Sequence, residues 1–551
     1  MVFLLFAFAL TAMIGRLCYL MIVRADHYGV QAKEIQQRER RIKAKRGEIR
    51  DRNGKVLAGN KAVSTISVIH SQVKEPEKVI RILAKELKMD EDQIRRKVEK
   101  VSSREKIKSN VDKKTSDTIR DYGLAGVTVD EDDKRQYPYG SLGSKVLGFT
   151  GADNQGIIGL EVSYEKFLKG IDGAILTTTT AGGVEIENGA EERVEPVSGQ
   201  NLTTSLDVTI MQYADQVANQ ILQKKKAKSV DIIVMNPNNG EIYAMACAPE
   251  FDLNSPFEIT GDTTSMTAKE KQDLRNQMWR NPCVSDTYEP GSTFKVLTSA
   301  AGIEKKVVTM NDHFFCPGYR IRCHKTTGHG SETFLQGIMN SCNPVFMDVG
   351  SRLGVHNFFE ELNQFQLMKR TGIDLPGEAA TIFHKEDKVG AVELATISFG
   401  QSFQISPVRL LASCSAIING GTSVTPHVGV STAREDGSYM KKFTYPGGSR
   451  VVSKETSDQI REALGKVVSE GTGKNAGVEG YEVGAKTGTS QKLPRGNGKY
   501  IASTLAFAPV SKPEVITLVR IDEPEGTYYG GTVAAPVVSQ LYTNLLPYIL
   551  K

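Results

Sequence analysis

Ser292 and Lys295 lie three residues apart at the end of the stretch Tyr-Glu-Pro-Gly-Ser-Thr-Phe-Lys. Residues at this spacing lie on one face of a helix, so the lysine amine can reach the serine hydroxyl. A serine hydroxyl is a weak nucleophile unless a neighbouring base takes its proton, and a lysine becomes that base when burial or a second cation lowers its pKa. The pair could perform acyl transfer, although the pattern alone more often marks a helix start capped by Ser292.

Two further motifs follow: Ser-Cys-Asn at 341–343 and Lys-Thr-Gly-Thr at 486–489. Each is ordinary by itself, because Asn-Pro is a turn signal and threonine is common in strands. In this chain order the three motifs resemble the active-site set of penicillin-binding proteins and serine β-lactamases. The resemblance covers nearly the whole chain and is tightest at 288–295, 371–378 and 471–490. It is a resemblance to the class B penicillin-binding proteins, which are monofunctional D,D-transpeptidases.

The resemblance implies a role for each polar residue in the acylation step. Ser292 would attack the penultimate D-Ala carbonyl of a pentapeptide stem, releasing D-Ala and forming an acyl-enzyme, while Lys295 takes the serine proton. Ser341 would relay this proton to the leaving amine, and Asn343 would hold Lys295 and the substrate amide. Lys486 would supply positive charge that keeps Lys295 neutral and attracts the terminal carboxylate.

The resemblance also implies how the substrate binds. Thr487 and Thr489 would donate hydrogen bonds to the terminal carboxylate, and Gly488 would leave room for a substrate strand to pair alongside. The backbone N–H groups of Ser292 and Thr489 would form an oxyanion hole, in which one donor contributes about 3 kcal/mol. An amine from a neighbouring stem then resolves the acyl-enzyme. The expected partners are stem pentapeptides ending in D-Ala-D-Ala and β-lactams as covalent inhibitors, and neither a cofactor nor a metal is expected.

Composition and local patterns predict several domains. The chain has 551 residues, of which 40% are hydrophobic and 24% charged, as in globular proteins of two or three domains. The segment 45–58 contains an Asp-Arg-Asn-Gly turn signal and resembles the opening of the class B non-catalytic domain. The implied fold class is α+β: a transpeptidase domain with a central antiparallel sheet flanked by helices, on an elongated mixed α/β pedestal. We expect a membrane anchor at 1–24, a pedestal (dimerisation) domain at 25–200 and the penicillin-binding transpeptidase domain at 201–551.

Patterning also predicts the elements that position the site. Apolar–polar alternation predicts strands at 500–509 and 515–521, and an Asn-Gly turn predicts a β-hairpin within 232–245. The run at 486–489 is expected on an edge strand beside the site. A helix is predicted at 331–340, leading the chain to the Ser-Cys-Asn triplet.

Residues 2–23 are apolar apart from Arg16, and ~20 such residues suit one membrane span. No small-x-small cleavage site follows, which favours an uncleaved anchor, and residues 25–45 are predicted to continue as a helix. Basic residues at 33–46 would place the protein body in the cytoplasm by the positive-inside rule, whereas the motifs require a single-pass membrane protein with an extracytoplasmic catalytic domain. Our hypothesis is that the natural chain begins upstream with a short basic leader; an in-frame stop directly before Met1, without an earlier start, would contradict it.

The basic cluster at 33–46 is read as a solvated face or as a contact with anionic lipid or wall polymer. No nucleic-acid motif accompanies it, so nucleic acid is not an expected partner. An enzyme that only cross-links needs a glycan polymerase beside it, and the family partner is a polytopic membrane glycosyltransferase. The chain is similar to the division and sporulation members of the class, which leaves a role in septal or in spore-wall synthesis open.

Seven cysteines show no dense disulfide framework. Cys316 and Cys323 could bridge two adjacent strands, and with His324 and His329 nearby they could instead hold a metal. Because the spacing is not of the Cys-x2-Cys type, a disulfide or two free thiols is favoured over zinc.

Three other functions compete with the transpeptidase. A serine β-lactamase shares the motifs, but class A enzymes carry a deacylating glutamate where this chain has Phe359, with Glu360 one residue out of register. A β-lactam sensor would need further spans and a His-Glu-x-x-His protease segment, which the sequence lacks. A catalytically idle scaffold of the wall-synthesis complex would not require the intact set of catalytic positions.

Overall fold

The computed structural model describes residues 1–28, 37–102, 104–178, 191–318 and 323–550. The chain divides into two compact units, each with its own hydrophobic core. The first unit comprises Met1–Gly47, Asn60–Gln136 and Lys169–Gln200. The second unit comprises Glu48–Gly59, Tyr137–Leu168 and Asn201–Lys551.

The N-terminal helix is the clearest element of the first unit. Val2–Cys18 continues as a π-helical turn at Tyr19–Val23, and among the described residues this is the one helix long and apolar enough to cross a membrane. The other helices are His70–Gln72, Pro76–Leu87, Glu91–Val98 and Lys113–Asp121. The strands are Gln37–Ile42, the C-terminal part of Val56–Val68, Glu105–Val111, Val127–Gln136, Gly173–Thr178 and Glu191–Val194.

The helix predicted at 25–45 is wrong over part of its length. Residues 25–28 are helical and 29–36 lie outside the described residues, but Gln37–Ile42 is a strand that pairs antiparallel with Gly173–Thr178. Its sequence, Gln-Arg-Glu-Arg-Arg-Ile, carries no apolar periodicity, so pairing with a partner distant in sequence decides its conformation. The basic cluster at 33–46 lies partly outside the described residues.

The second unit is built on helices and antiparallel strands. Its helices are Ser144–Leu147, Gly159–Ser163, Glu165–Leu168, Val208–Lys225, Ala268–Trp279, Pro282–Ser285, Gly291–Phe294, Lys295–Glu304, Phe334–Met339, Asn343–Gln364, Glu386–Lys388, Ala391–Ser398, Pro407–Ile418, Lys454–Ser469, Lys474–Ala476, Gly530–Val533 and Ala535–Ile549. Its strands are Ile49–Arg50, the N-terminal part of Val56–Val68, Asn201–Thr204, Ser229–Met235, Ile242–Ala248, His313–Cys316, Gly330–Thr333, Gly429–Ala433, Lys441–Lys442, Gly484–Gln491, Tyr500–Ala508 and Val515–Asp522.

A five-stranded antiparallel sheet forms the centre of this unit. Its strands follow the spatial order Ile242–Ala248, Ser229–Met235, Val515–Asp522, Tyr500–Ala508, Gly484–Gln491. Nearly every residue of the inner strands is buried, as in sheets covered by helices on both faces. The predicted hairpin, the two C-terminal strands and the edge position of the Lys-Thr-Gly-Thr run are confirmed.

Two helices carry the other motifs to this edge. The helix Lys295–Glu304 packs against Lys454–Ser469 and Asn343–Gln364. The helix predicted at 331–340 begins later than expected, because residues up to Thr333 form a strand, and Thr333 then caps the helix Phe334–Met339. Its capping box, in which the Thr333 hydroxyl accepts from the N–H of Gln336, marks that start.

Candidate active site

Ser292 lies in the short 3-10 turn Gly291–Phe294, which leads directly into the helix that begins at Lys295. Gly291 has φ +56°, in the left-handed region that favours glycine, and a Cβ there would lie 2.9 Å from the carbonyl oxygen of Thr489. The Gly291 N–H donates to the carbonyl of Gly400 at 2.8 Å. The turn is therefore held between the edge strand and a loop, and it leaves Ser292 half-buried.

Lys295 is fully buried, with an exposed fraction of 1%. Its Nζ donates to the Ser341 carbonyl and to Asn343 Oδ1, both at 2.7 Å, and lies 3.3 Å from Ser341 Oγ. Burial disfavours the ammonium form and lowers the pKa of Lys295 from 10.5 to about 7. A buried amine with this pKa is half neutral near pH 7, as a general base should be.

Ser341 has a left-handed backbone with φ +54°, which is uncommon for a residue other than glycine. It joins the helices Phe334–Met339 and Asn343–Gln364, and the next N–H, of Cys342, donates to the Gly337 carbonyl at 2.9 Å. Such a conformation costs about 1–3 kcal/mol and persists when its surroundings fix it. It brings Ser341 Oγ within hydrogen-bonding distance of both active-site lysines.

Lys486 is also fully buried, and its Nζ donates to Ser341 Oγ at 2.8 Å and to the Thr487 carbonyl at 3.2 Å. Burial lowers the pKa of Lys486 well below its usual range, and the charge of Lys295 lowers it further. Two ammonium groups that share one hydroxyl in a buried site disfavour each other. The pair therefore holds fewer than two protons near neutral pH.

The edge strand Gly484–Gln491 pairs with Tyr500–Ala508 and lies beside the nucleophile turn. A Cβ on Gly488 would lie 2.7 Å from Ser503 Oγ and 3.0 Å from Thr293 Cγ2, so glycine permits the close approach of strand and turn. Thr487 is nearly buried, and Thr489 Oγ1 accepts a hydrogen bond from the Gly530 N–H at 3.0 Å. The structure thus brings all the predicted site residues to one edge of the sheet.

Glu289, beside the nucleophile turn, has the structural role that its position near the nucleophile favours over a catalytic one. Its Oε1 accepts from the Ser402 N–H at 3.0 Å, and its Oε2 pairs with Arg495 at 2.5 Å. These contacts tie the approach to Ser292 to two loops far away in sequence. The sequence signal for this role is a carboxylate three residues before Ser292.

The segment compared with the class A lactamase loop places no carboxylate at the site. Phe359 is buried with an exposed fraction of 6%, and Glu360 Oε2 forms an ion pair with Lys305 Nζ at 2.7 Å. That ion pair lies on the surface, where the hydrogen bond from Lys305 lowers the pKa of Glu360.

The cysteine prediction needs a correction. Cys316 ends the strand His313–Cys316, but Cys323 lies outside the described strands, so the two do not bridge adjacent strands. Both are buried, and neither forms a disulfide bond. The structure adds Cys342, the middle residue of the Ser-Cys-Asn triplet, to the same cluster, and no local sequence pattern signals this encounter.

Comparisons with known proteins agree with the geometry. The family described as "Penicillin binding protein transpeptidase domain" matches residues 231–543, and "Penicillin-binding Protein dimerisation domain" matches residues 41–204. Stage V sporulation protein D of Bacillus subtilis is 38% identical, over 97% of this chain and 82% of its own length. Peptidoglycan D,D-transpeptidase FtsI of Escherichia coli is 27% identical, over 98% of this chain and 89% of its own.

Solved structures share the fold. Penicillin Binding Protein 2X from Streptococcus thermophilus matches with a TM-score of 0.77 at 23% identity, covering 93% of this chain and 80% of that one. Penicillin binding protein 3 from Mycobacterium tuberculosis, complexed with aztreonam, matches with a TM-score of 0.68 at 24% identity, covering 92% and 97%. The chain therefore belongs to the class B penicillin-binding proteins, the family of penicillin-binding serine enzymes that act as peptidoglycan D,D-transpeptidases.

Proposed function

We propose that this chain cross-links peptidoglycan stem peptides through an acyl-enzyme on Ser292. The observation that carries the proposal is a hydrogen-bonded cluster beside the nucleophile turn. Lys295 Nζ contacts both Ser341 and Asn343, and Lys486 Nζ donates to the same Ser341 hydroxyl. A nucleophile needs a neighbouring base and a group that returns the proton to the leaving amine. The cluster contains both.

In the first step Ser292 Oγ attacks the carbonyl carbon of the penultimate D-Ala, and its proton passes to the neutral amine of Lys295. The amide bond to the terminal D-Ala then breaks. Ser341 Oγ, within reach of both lysines, passes a proton to the departing amine, which leaves as free D-Ala. An amine of a neighbouring stem attacks the ester, forms the cross-link and regenerates the serine.

The substrate carboxylate sets the protonation of the two lysines. Because the buried pair disfavours two charges, one proton is shared between Lys295 and Lys486. A carboxylate bound beside Thr487 and Thr489 stabilises the cation on Lys486 and draws the proton there. Lys295 is then neutral at the moment when it must accept the serine proton.

The edge strand supplies the remaining groups. The Thr489 carbonyl points towards Gly291, and in an antiparallel strand the N–H and carbonyl of one residue point to the same side. The Thr489 N–H therefore faces the nucleophile turn, where it joins the Ser292 N–H in an oxyanion hole. Since Thr489 Oγ1 accepts from Gly530, its own proton is available to the substrate carboxylate.

The domain assignment and the location belong to the same proposal. We place the anchor at 1–24, the pedestal domain at 25–200 and the transpeptidase domain at 201–551, with Glu48–Gly59 and Tyr137–Leu168 of the pedestal range belonging to the second compact unit. The apolar helix Val2–Val23 supports a single membrane span, with the catalytic domain on the extracytoplasmic side, where peptidoglycan lies. A polytopic membrane glycosyltransferase would supply the glycan strands, in septal or in spore-wall synthesis, and β-lactams would acylate Ser292 because they mimic the D-Ala-D-Ala terminus.

The test is product analysis with the full chain in detergent, supplied with a stem pentapeptide donor and an amine acceptor. We expect released D-Ala and a cross-linked product, both lost in Ser292→Ala and Lys295→Ala variants that fold normally. Repeated turnover of a β-lactam without a lasting adduct would instead establish a serine β-lactamase. Folded wild-type protein that neither releases D-Ala nor reacts with a β-lactam would establish an idle scaffold.

A further inference from the structure

Three thiols and one imidazole converge at the Ser-Cys-Asn triplet, whose middle residue, Cys342, is one of the four. One donor atom from each lies within 4.8 Å of all the others, on the buried or half-buried residues Cys316, Cys323, His329 and Cys342. Three sulfurs and one imidazole nitrogen are a ligand set of structural zinc sites. We propose that this cluster binds one zinc ion, which ties Cys316, Cys323 and His329 to the active-site triplet.

The distances suit a tetrahedral ion. Zinc bonds of about 2.3 Å to sulfur and about 2.1 Å to nitrogen, at the tetrahedral angle, place the two donor atoms about 3.6 Å apart. Cys323 Sγ lies 3.5 Å from His329 Nδ1. The pair therefore already has the separation that a shared ion requires.

The backbone around Cys316 is tightly folded. Gly318 and Gly328 have φ of +84° and +77°, and a Cβ on Gly318 would lie 2.5 Å from the N–H nitrogen of Gly328. Cys316 itself pairs with Gly330 across the two short strands. Two turns thus pack backbone against backbone, and only glycine at both positions permits it.

Cys342 also occupies a favourable position for a thiolate, the form of cysteine that binds metal. It is the N-cap of the helix Asn343–Gln364, where the helix dipole favours a negative charge.

Four protein ligands leave no open coordination position, so the ion would be structural rather than catalytic. Its ligand Cys342 lies between Ser341 and Asn343, the two residues that contact Lys295. Zinc would therefore hold the left-handed Ser341 backbone in the position where its hydroxyl meets both lysines.

The direct test is the zinc content of the full chain, purified in detergent without a metal-binding tag and dialysed against a weak chelator. We expect one zinc per chain in the wild type and almost none in Cys316→Ser, Cys323→Ser and His329→Ala. Cys18→Ser and His356→Ala, on exposed side chains outside the cluster, are matched controls and should keep the full amount.

A second variant distinguishes lost ligation from lost folding. His329→Cys replaces one zinc ligand by another, so it should keep one zinc, and after cobalt substitution its thiolate-to-cobalt absorption should rise by about a third, because four thiolates replace three. Zinc content that the cluster variants do not change, a wild type without zinc, or an intact mass showing a disulfide between two of these cysteines would overturn the proposal. None of these readouts depends on acylation of Ser292, so the site and the enzyme activity are tested separately.

Discussion

Lys486 Nζ donates a 2.8 Å hydrogen bond to Ser341 Oγ, which also lies 3.3 Å from Lys295 Nζ. One hydroxyl thus lies between two buried amines from distant parts of the chain. Since neither amine keeps its usual pKa in this environment, protonation of the pair controls the chemistry.

The pH dependence of acylation should report Lys295. Its pKa is lowered by burial to about 7; below that pH the amine is protonated and cannot accept the serine proton. The second-order rate constant for acylation by a β-lactam should rise about tenfold per pH unit below about 7 and level off above it.

Lys295→Arg provides the control for this profile, because it keeps a cation but not a titratable base. We expect acylation to fall by about 10²–10⁴-fold and the inflection near pH 7 to disappear. A wild-type rate that does not vary with pH between about 5 and 9 would exclude Lys295 as the base.

Recognition of the ligand carboxylate by Lys486 can be tested by comparing a β-lactam and its ester on the wild type and on Lys486→Ala. Esterifying the carboxylate of a β-lactam removes the charge that Lys486 attracts, and we expect acylation of the wild type to slow by about 10–100-fold. In Lys486→Ala the free acid should be slow as well, and esterification should have little further effect. Equal sensitivity of wild type and variant to esterification would show that Lys486 does not recognise the carboxylate.

Gly488→Ala should disrupt the packing of the edge strand against the nucleophile turn. The new Cβ would meet Ser503 Oγ at 2.7 Å and Thr293 Cγ2 at 3.0 Å, forcing the edge strand away from the nucleophile turn at a cost of about 1–3 kcal/mol. Slower acylation and a lower Tm are expected together. Gly15→Ala, where no atom lies within 4 Å of the new Cβ, should change neither, and an unaffected Gly488→Ala would refute the close approach.

Asp374, in the segment 371–378, connects three parts of the chain that are far apart in sequence. Its carboxylate accepts hydrogen bonds from the hydroxyls of Tyr164 and Tyr445, at 2.5 and 3.1 Å, and from the N–H groups of Val428 and Gly429, at 2.9 and 2.7 Å. Asp374→Ala leaves the two N–H groups without this acceptor, at about 1–3 kcal/mol for each one that stays buried. The hydroxyls keep other partners, because Tyr445 also donates to the Gly429 carbonyl at 2.7 Å and lies 3.0 Å from the Tyr164 hydroxyl.

We therefore expect Asp374→Ala to lower Tm by about 5 °C or more in a thermal melt. Asp436→Ala, an exposed aspartate that accepts from the Ser438 N–H within its own turn, is the control and should change Tm little. Equal Tm values for the two variants would show that the Asp374 carboxylate does not stabilise the fold.

The motif chemistry and much of the central sheet could be predicted because their signals are local. Three short motifs in order indicated the site, and alternation and an Asn-Gly turn indicated the strands. The left-handed backbone of Ser341 and the meeting of Cys342 with Cys316 could not be predicted, since both arise from packing between segments far apart in sequence. The charged strand Gln37–Ile42 could not be predicted for the same reason.

Ser292 as the nucleophile is the central claim, and intact mass after exposure to penicillin tests it most directly. Full-length wild-type protein in detergent should gain one drug mass and keep it through a chase without drug, whereas folded Ser292→Ala should gain none. An adduct of the same mass on Ser292→Ala, or a wild type that consumes penicillin without retaining any adduct, would contradict the proposed acyl-enzyme.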